Sequence, residues 1–544
     1  MQICYITGMY IANIPNRKSP PAILLRESYR EDGKVRTRTL ANLTHWKLER
    51  LEALRRALKG EFDDIGDGNE ECGKIFGVTF ALRQLIDQIG ISRALGKSDE
   101  SKFIMFMIIA RIAHGGSRLS SVRWSEQHEI EDILGITEFD ENDLYNSLDW
   151  LEQAQTKLEE NLYKQYIKNN GKPPVVVLYD VTSSYFEGEQ NELASFGYNR
   201  DKKNRKKQIV IGLLTGDDGE PLAVRVFEGN TSDPTTIPEQ VELLKNQFGI
   251  KDVVIVGDRG MIKFKQKKVI EAEQWSYITA LTKAQIQTLI KKNILQADLF
   301  DNKLVEVEYE NKRYILYCNT VRKEQERSRR DDKIRRLEKL INERNEFVAQ
   351  SKRADPEAGL KKFQKWSKGR KLSPFITLSL NENVIEYTID KEAKNKLEIL
   401  DGCYTLETTV DKALMDTETV NFHYGDLQKV ERDFRRMKTS ALEVRPIFLR
   451  NAERTKAHIF LTMLALKVTR RFEKLLYDSF GKIKDSLTAL TVDDALLSLS
   501  RLVYLNSKNN NKVITRLPNP DQQQCAIFDA LGIHFSKSAP VGSK

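Results

Sequence analysis

At 544 residues the chain is too long for one ordinary domain, and about three or four packed units are expected. With 40% hydrophobic and 30% charged residues it reads as a folded globular protein and not a disordered one. The net charge of +9 suits an anionic partner without identifying one. No apolar run reaches the roughly 18 residues of a membrane span. The longest, at 103–113 and 458–468, read as buried helices. The first residues lack the basic start, apolar core and cleavage site of a signal peptide. The five cysteines, Cys4, Cys72, Cys318, Cys403 and Cys525, are isolated in sequence and form no CxxC pair. With six histidines, they argue against a zinc finger, a His-rich zinc site or a disulfide framework and suit a reducing compartment.

Residues 1–60 alternate in short runs around an Asp32–Gly33 turn signal, then show leucines at helical spacing over 45–58. They predict a small basic β unit plus a helix. Residues 61–170 read as helical, either a DNA-binding region or a support for the next domain. Prolines then precede a strand, VVVLYDV, and a DDGE turn joins QIVIGLL to LAVRVFE. A helix near 236–247, the strand of DVVIVGDRG, a helix over 261–273 and the strand WSYITAL complete residues 171–290. The order β–β–β–α–β–α–β predicts the first part of a ribonuclease-H-like core, and the early hairpin disfavours a plain doubly wound sheet. Residues 291–405 read as a mainly β insertion with one long polar helix. Residues 406–480 complete the core, with a periodic helical region from 421 to about 478. Residues 481–544 read as a helical region with a polar tail. The fold class is therefore α/β: a mixed-sheet core interrupted by an insertion, with a β/helical N-terminal region and a helical C-terminal region.

The acids that leave these elements carry the chemistry. Asp180 ends VVVLYD and Asp258 ends VVIVGD. Either alone could merely cap a turn. Glu431 lies on a predicted helical face with Tyr424, Leu427, Arg435 and Lys438, beside a packing face of Val430, Phe434 and Met437. Three carboxylates suit Mg²⁺, or Mn²⁺ in its place, because hard cations prefer oxygen ligands. Two ions about 4 Å apart would support in-line displacement at a phosphodiester phosphorus. No GxxxxGK[ST] loop is present, which disfavours an ATPase. The run RDKKNRKK places Lys202, Lys203, Arg205, Lys206 and Lys207 as candidate phosphate contacts; a solvated surface loop is the alternative.

The segment YGDLQKVERDFRRMK resembles the Y-x2-R-x3-E-x6-K signature of DDE transposases of bacterial and archaeal insertion sequences. Tyr424, Glu431 and Lys438 meet the pattern, and Leu427 stands at its arginine position, with Arg435 as the nearest substitute. The contexts YDVTSSYFEG and VVIVGDRG match the family's two aspartates at Asp180 and Asp258. FGYNRDKKNRKKQIVIGLL, GEPLAVRVFEGNTSD and the N-terminal PAILLRESYREDGKVRTRTLANL resemble the same group. The resemblance implies a ribonuclease-H-like catalytic core with a β insertion before the glutamate. It implies binding to terminal inverted repeats and target DNA, metal-dependent cleavage and strand transfer, and a homodimer or higher multimer on DNA. Asp180, Asp258 and Glu431 would be catalytic and metal-binding. Tyr424 and Lys438 would contact DNA phosphates and Arg259 a terminal phosphate. Trp275 would stack on distorted DNA or else pack in the core. The resemblance also implies a prokaryotic cytoplasmic, nucleoid-associated location. A nuclease that cuts without joining and a non-catalytic, transposase-derived DNA-binding protein are the competing readings.

Overall fold

The computed structural model describes the whole chain except residues 1–7, 17–19, 32–33, 60–69, 189, 202, 204, 301–302, 352–353, 440–441, 482–488, 510–511 and 536–544. The Asp32–Gly33 turn, Lys202 and the last residues of the polar tail lie outside the described residues. Two compact units are present: residues 1–78 with 127–129 and 493–544, and residues 79–126 with 130–492.

In the first unit, β1 (Gly8–Ile14), β2 (Ala22–Glu31) and β3 (Lys34–Asn42) form an antiparallel sheet with β2 central. Arg38 sits opposite Glu27 in the β2–β3 register and pairs with it at 2.7 Å, a cross-strand pair of the kind that favours one register. The helix α1 (Leu48–Leu58) buries Leu51, and β4 (Glu70–Ile75) comes next.

The second unit opens with helices α2 (Gly77–Gln88), α3 (Ile91–Leu95), α4 (Asp99–Ala113), α5 (Arg118–Ser125), α6 (Glu131–Leu134) and α7 (Glu141–Asn170). A capping box at Asp140 starts α7, and Gly171, at φ 75°, ends it in the left-handed region. Leu144, Leu148 and Leu151 form its buried stripe, which packs on α4.

The chain then enters a central sheet through β5 (Val176–Tyr185), β6 (Gln208–Gly216) and β7 (Pro221–Glu228), an antiparallel meander. After α8 (Ile237–Glu242), β8 (Val254–Val256) returns parallel to β5. After α9 (Phe264–Ala272), β9 (Ser276–Ala280) lies parallel to β8. The predicted element order is thus present. β5 and β6 are buried at nearly every position, which explains why they read as apolar runs without alternation.

Residues 281–408 correct the expected mainly β insertion. They form α10 (Lys283–Lys291), β10 (Val305–Tyr309), β11 (Lys312–Cys318), α11 (Thr320–Gln350), α12 (Pro356–Gly369), β12 (Ile376–Asn381), β13 (Val384–Ile389), α13 (Lys391–Glu398) and β14 (Cys403–Thr408). β10, β11 and β14 extend the central sheet from β9, giving the order β10-β11-β14-β9-β8-β5-β6-β7. Among the described residues of this segment only the β12–β13 hairpin stands apart from that sheet, and the excursion from 319 to 402 is largely helical. It encloses its own core, including Leu337, Ile341, Phe363, Phe375 and Ile385.

The helical region expected from 421 to about 478 is interrupted. It comprises α14 (Thr417–Gly425), α15 (Leu427–Lys438) and α16 (Ala452–Phe480). Asp426 forms the joint between the first two, and Pro446 lies in the second break. Residues 457–468 of α16 are buried on every side, as their apolar character predicts. Among the described residues no helix is long and apolar enough to cross a membrane.

The chain ends in the first unit with α17 (Val492–Leu499), β15 (Val503–Asn509), β16 (Lys512–Arg516) and α18 (Gln522–Ala530). The expected helical C-terminal region therefore includes a hairpin, and β15 pairs antiparallel with β4. A strand so short, whose partner is more than 400 residues away, leaves little periodic signal in the sequence.

The β5–β6 pair is closely packed where Gly212 lies beside the Tyr179 ring. A Cβ at Gly212 would stand 2.2 Å from the Tyr179 hydroxyl oxygen. Gly212→Ala is expected to destabilise the protein by about 1–3 kcal/mol through overpacking. Tyr179→Phe in the same chain should recover part of the loss. Calorimetric melting of both variants checks this, and an unchanged midpoint for Gly212→Ala would contradict the packing described.

Candidate active site

Parallel pairing brings the two aspartates together. Leu178 of β5 is the partner of Val256 of β8. Asp180 and Asp258 each lie two residues beyond that rung, so they stand at the same level on neighbouring chain segments. Asp180 remains within β5, opposite Leu213 of β6, and one of its carboxylate oxygens accepts the Val181 N–H at 2.8 Å. Asp258 is exposed in the turn after β8. Its Oδ1 accepts the N–H groups of Gly260 and Met261 at 2.7 and 3.0 Å, which fixes the carboxylate to the turn. The Thr279 hydroxyl of β9 donates to the Asp258 carbonyl at 3.2 Å.

Glu431 arrives from the helix α15, which packs on β5. Leu427, Val430, Phe434 and Met437 are buried and anchor the helix, while Glu431 is exposed beside them. Burial pushes the Asp180 carboxyl up to about 7; the Val181 N–H opposes the rise, the charges of Asp258 and Glu431 add to it, and Arg200 opposes it. Asp258 and Glu431 therefore both act on Asp180. As arranged, no group of three or more His, Cys, Asp or Glu side chains among the described residues is gathered to hold one ion.

Tyr424 is half-buried on α14. Burial, followed by the charge of Asp258, pushes its hydroxyl up to about 12, with Arg259 opposing. The charge of Asp258 thus acts on Tyr424, which lies on a different helix from Glu431. Arg259 and Arg435 are exposed. Lys438 is engaged within the protein: its ammonium meets Asp201 Oδ1 at 3.1 Å, and Arg445 meets the same oxygen at 2.6 Å. Burial lowers the Lys438 pKa and Asp201 opposes that change. Leu427 is buried, so the signature's arginine position holds an apolar anchor of α15.

Other predicted contacts separate. Lys203 and Arg205 are exposed, Lys206 pairs with Glu187 at 2.5 Å, and Lys207 is half-buried. Trp275 is a correction to the stacking role. Its ring is 4% exposed within the core beneath the sheet, and its indole N–H donates to the Lys251 carbonyl at 3.0 Å. An indole held on both its apolar and polar sides offers no face to DNA in this arrangement.

Sequence reasoning missed Arg200 and Asp201. The Arg200 N–H donates to Ser183 of β5 at 3.0 Å, and its guanidinium pairs with Asp233 at 2.6 Å. Asp201 ties the same loop to α15 through Lys438. The available signal was a single acid within a run of six bases, RDKKNRKK, where the basic residues alone drew notice.

Residues 171–467 match the transposase DDE domain family, over more than half of the chain. The chain belongs to this family of DDE transposases. Residues 11–71 match the N-terminal domain of IS1634 family transposases, which makes it an insertion-sequence transposase. No curated protein matches the chain. Among solved structures, a piggyBac transposase synaptic complex with hairpin DNA is similar at 9% identity and a TM-score of 0.32, over 80% of this chain and 70% of that one. A likeness that distant carries no argument here.

The raised Asp180 carboxyl has a measurable consequence. In the unfolded chain it would titrate near its ordinary 3.8, and in the fold near 7. A raised carboxyl favours the fold at low pH and loses that contribution as pH rises through about 7. Asp180→Asn should therefore raise the melting temperature at pH 8 relative to the parent, by at most about 4 kcal/mol of stability. The gain should shrink between about pH 7 and pH 4. Parallel melts of the two proteins across that range test it, and a gain independent of pH would contradict the stated cause.

Proposed function

We propose that this chain is a DNA transposase of the Y-x2-R-x3-E-x6-K type, with a ribonuclease-H-like core and Asp180, Asp258 and Glu431 as its catalytic acids. The observation that carries this reading is the equal offset of Asp180 and Asp258 from one rung of the parallel β5–β8 pair, with α15, the helix that bears Glu431, packed on β5. The strand order β9-β8-β5-β6-β7, with a three-stranded antiparallel meander and two parallel additions, supports the core assignment.

The donor chemistry fits a hard divalent cation. Asp180, Asp258 and Glu431 offer carboxylate oxygens, the charges of the other two add to the rise of the Asp180 carboxyl, and a cation beside it would oppose that rise. Asp180, Asp258 and Glu431 would hold Mg²⁺, with Mn²⁺ as substitute and two ions in the reactive complex. When bound, the cations would activate the attacking oxygen and stabilise the leaving oxygen of a phosphodiester. Asp258 would present a carboxylate already oriented by Gly260 and Met261. Glu431 would be held at a fixed angle by the buried face of α15. Arg259, Arg435, Lys203 and Arg205 would meet DNA phosphates, which position the duplex without reading its sequence. Tyr424 would stand beside the Asp258 turn, and Lys438 would act through the loop it clamps. The substrates would be the element's terminal inverted repeats and a target duplex, handled by a homodimer or larger assembly.

Asp180→Asn, Asp258→Asn and Glu431→Gln are each expected to reduce Mg²⁺-dependent cleavage of terminal-repeat DNA by at least ~100-fold. Binding to the same ends should persist. The wild-type chain should also join a precleaved 3′-hydroxyl end into plasmid DNA. Nicking by all three variants at the wild-type rate would refute the assignment of the acids. Cleavage without joining would make the chain a nuclease, and tight end binding without either reaction would make it a DNA-binding protein only.

A further inference from the structure

Cys318 is the last residue of β11 and Cys403 the first of β14. They are directly opposed in the antiparallel register. At the next rung Asn319 N–H donates to the Gly402 carbonyl at 2.9 Å. Hydrogen-bonded and non-hydrogen-bonded pairs alternate, so the cysteines occupy a non-hydrogen-bonded pair. Cα atoms there approach to about 4.5 Å, within the roughly 4.4–6.8 Å that a disulfide spans. The two thiols converge on one acceptor: the sulfurs of Cys403 and Cys318 lie 3.5 and 3.6 Å from the same Asp401 carbonyl.

The pair also sits at a defined mechanical position. The chain leaves the sheet immediately after Cys318 and re-enters it at Cys403. Everything between, including α11, α12, the β12–β13 hairpin and α13, forms one excursion with its own core. Both cysteines are buried, yet both line a 340 Å³ cavity with Lys323, Arg327 and Asn395. Arg327 and Asn395 are exposed, so the cavity borders solvent and can admit a molecule as small as hydrogen peroxide.

We propose that Cys318 and Cys403 are a redox modification site, forming a reversible disulfide that staples the neck of the 319–402 excursion when a peroxide is present. One thiol loses its proton and attacks a peroxide oxygen. The O–O bond breaks, and a sulfenic acid and one water result. The second sulfur attacks the sulfenic sulfur, an S–S bond forms, the S–O bond breaks, and the departing hydroxide takes the second thiol proton as water. Two thiols are oxidised and one peroxide is reduced to two waters. Burial and the adjacent Cys318 push the Cys403 thiol up to about 12, which suits Cys403 to the second step. A dithiol reverses the bond by exchange. Nothing in this chemistry depends on DNA cleavage.

The test uses the full chain without substitution. Reduced protein at low concentration is treated with hydrogen peroxide, alkylated, digested and mapped by mass spectrometry. A cross-linked peptide joining Cys318 to Cys403, two hydrogens lighter than its parts and separated by dithiothreitol, is expected. Amide exchange at Asn319 should slow by about tenfold or more in the oxidised protein and recover on reduction. The exposed Cys72 and Cys525 report that the oxidant acted. Recovery of Cys318 and Cys403 as alkylated thiols while Cys72 and Cys525 are oxidised would overturn the staple. So would their conversion to sulfinic acids without a cross-link, or an unchanged exchange rate at Asn319 in the cross-linked chain.

Discussion

The parallel pairing of β5 with β8 is the constraint on which the acidic centre depends. Parallel strands leave a sheet at the same edge, so residues at equal offsets from one rung become neighbours. Asp180 and Asp258 occupy such positions, 78 residues apart in the chain. The sheet places two like charges together and leaves local groups to moderate the repulsion. Val181 N–H and Arg200 do so at Asp180, while the Gly260 and Met261 N–H groups hold Asp258. Burial still dominates at Asp180, and that explains why its carboxyl rises and a neighbouring cation would change its state.

The third acid depends on a helix fixed on two sides. Leu427, Val430, Phe434 and Met437 supply the apolar face of α15. Asp433 is buried as well, and Arg470 of α16 pairs with it at 2.5 Å. A buried carboxylate without that partner would be strongly destabilising. Burial nevertheless pushes Asp433 up to about 6, with Arg470 opposing. At the far end, Asp201 draws Lys438 and Arg445 together. Rotation of α15 by one residue, about 100°, would break the apolar packing and both polar clamps. Glu431 is therefore set by contacts that do not include Glu431.

Much of this arrangement was legible in the residue pattern because the signals are local. VVVLYD and VVIVGD are β-branched runs that end in acids, and Val430, Phe434 and Met437 mark one helical stripe. Contacts determined at long range were not legible. At Asp426 the preceding Gly425 is only a weak local break in the helical pattern, and the joint forms where α14 and α15 meet different strands, β9 and β5. Trp275 could pack or stack until burial decided the matter. The 305–318 hairpin could close on itself, but it buries its apolar side chains by joining β14. Cys318 and Cys403 look isolated because 84 residues separate them, and only the β11–β14 register makes them neighbours.

The basic run illustrates why charge counted in sequence overstates what a phosphate would meet. An ion pair already formed within the protein presents a reduced field, and drawing its cation away would leave its acid unpaired. Arg200 is paired with Asp233, Lys206 with Glu187, and Lys438 with Asp201. Two of these pairs join the loop to its surroundings: Arg200 to β5 and the Asp233 turn, Asp201 to α15. Gly197 permits the same loop to pack closely, because a Cβ there would lie 2.1 Å from the Gly229 carbonyl. Lys203, Arg205, Arg259 and Arg435 remain on the surface. The loop that reads as a uniform cationic patch is thus divided by its one acid, Asp201, and by Glu187 and Asp233 outside it. One part is structural and holds the helix that carries Glu431, and the other faces solvent with its charge uncommitted to that task.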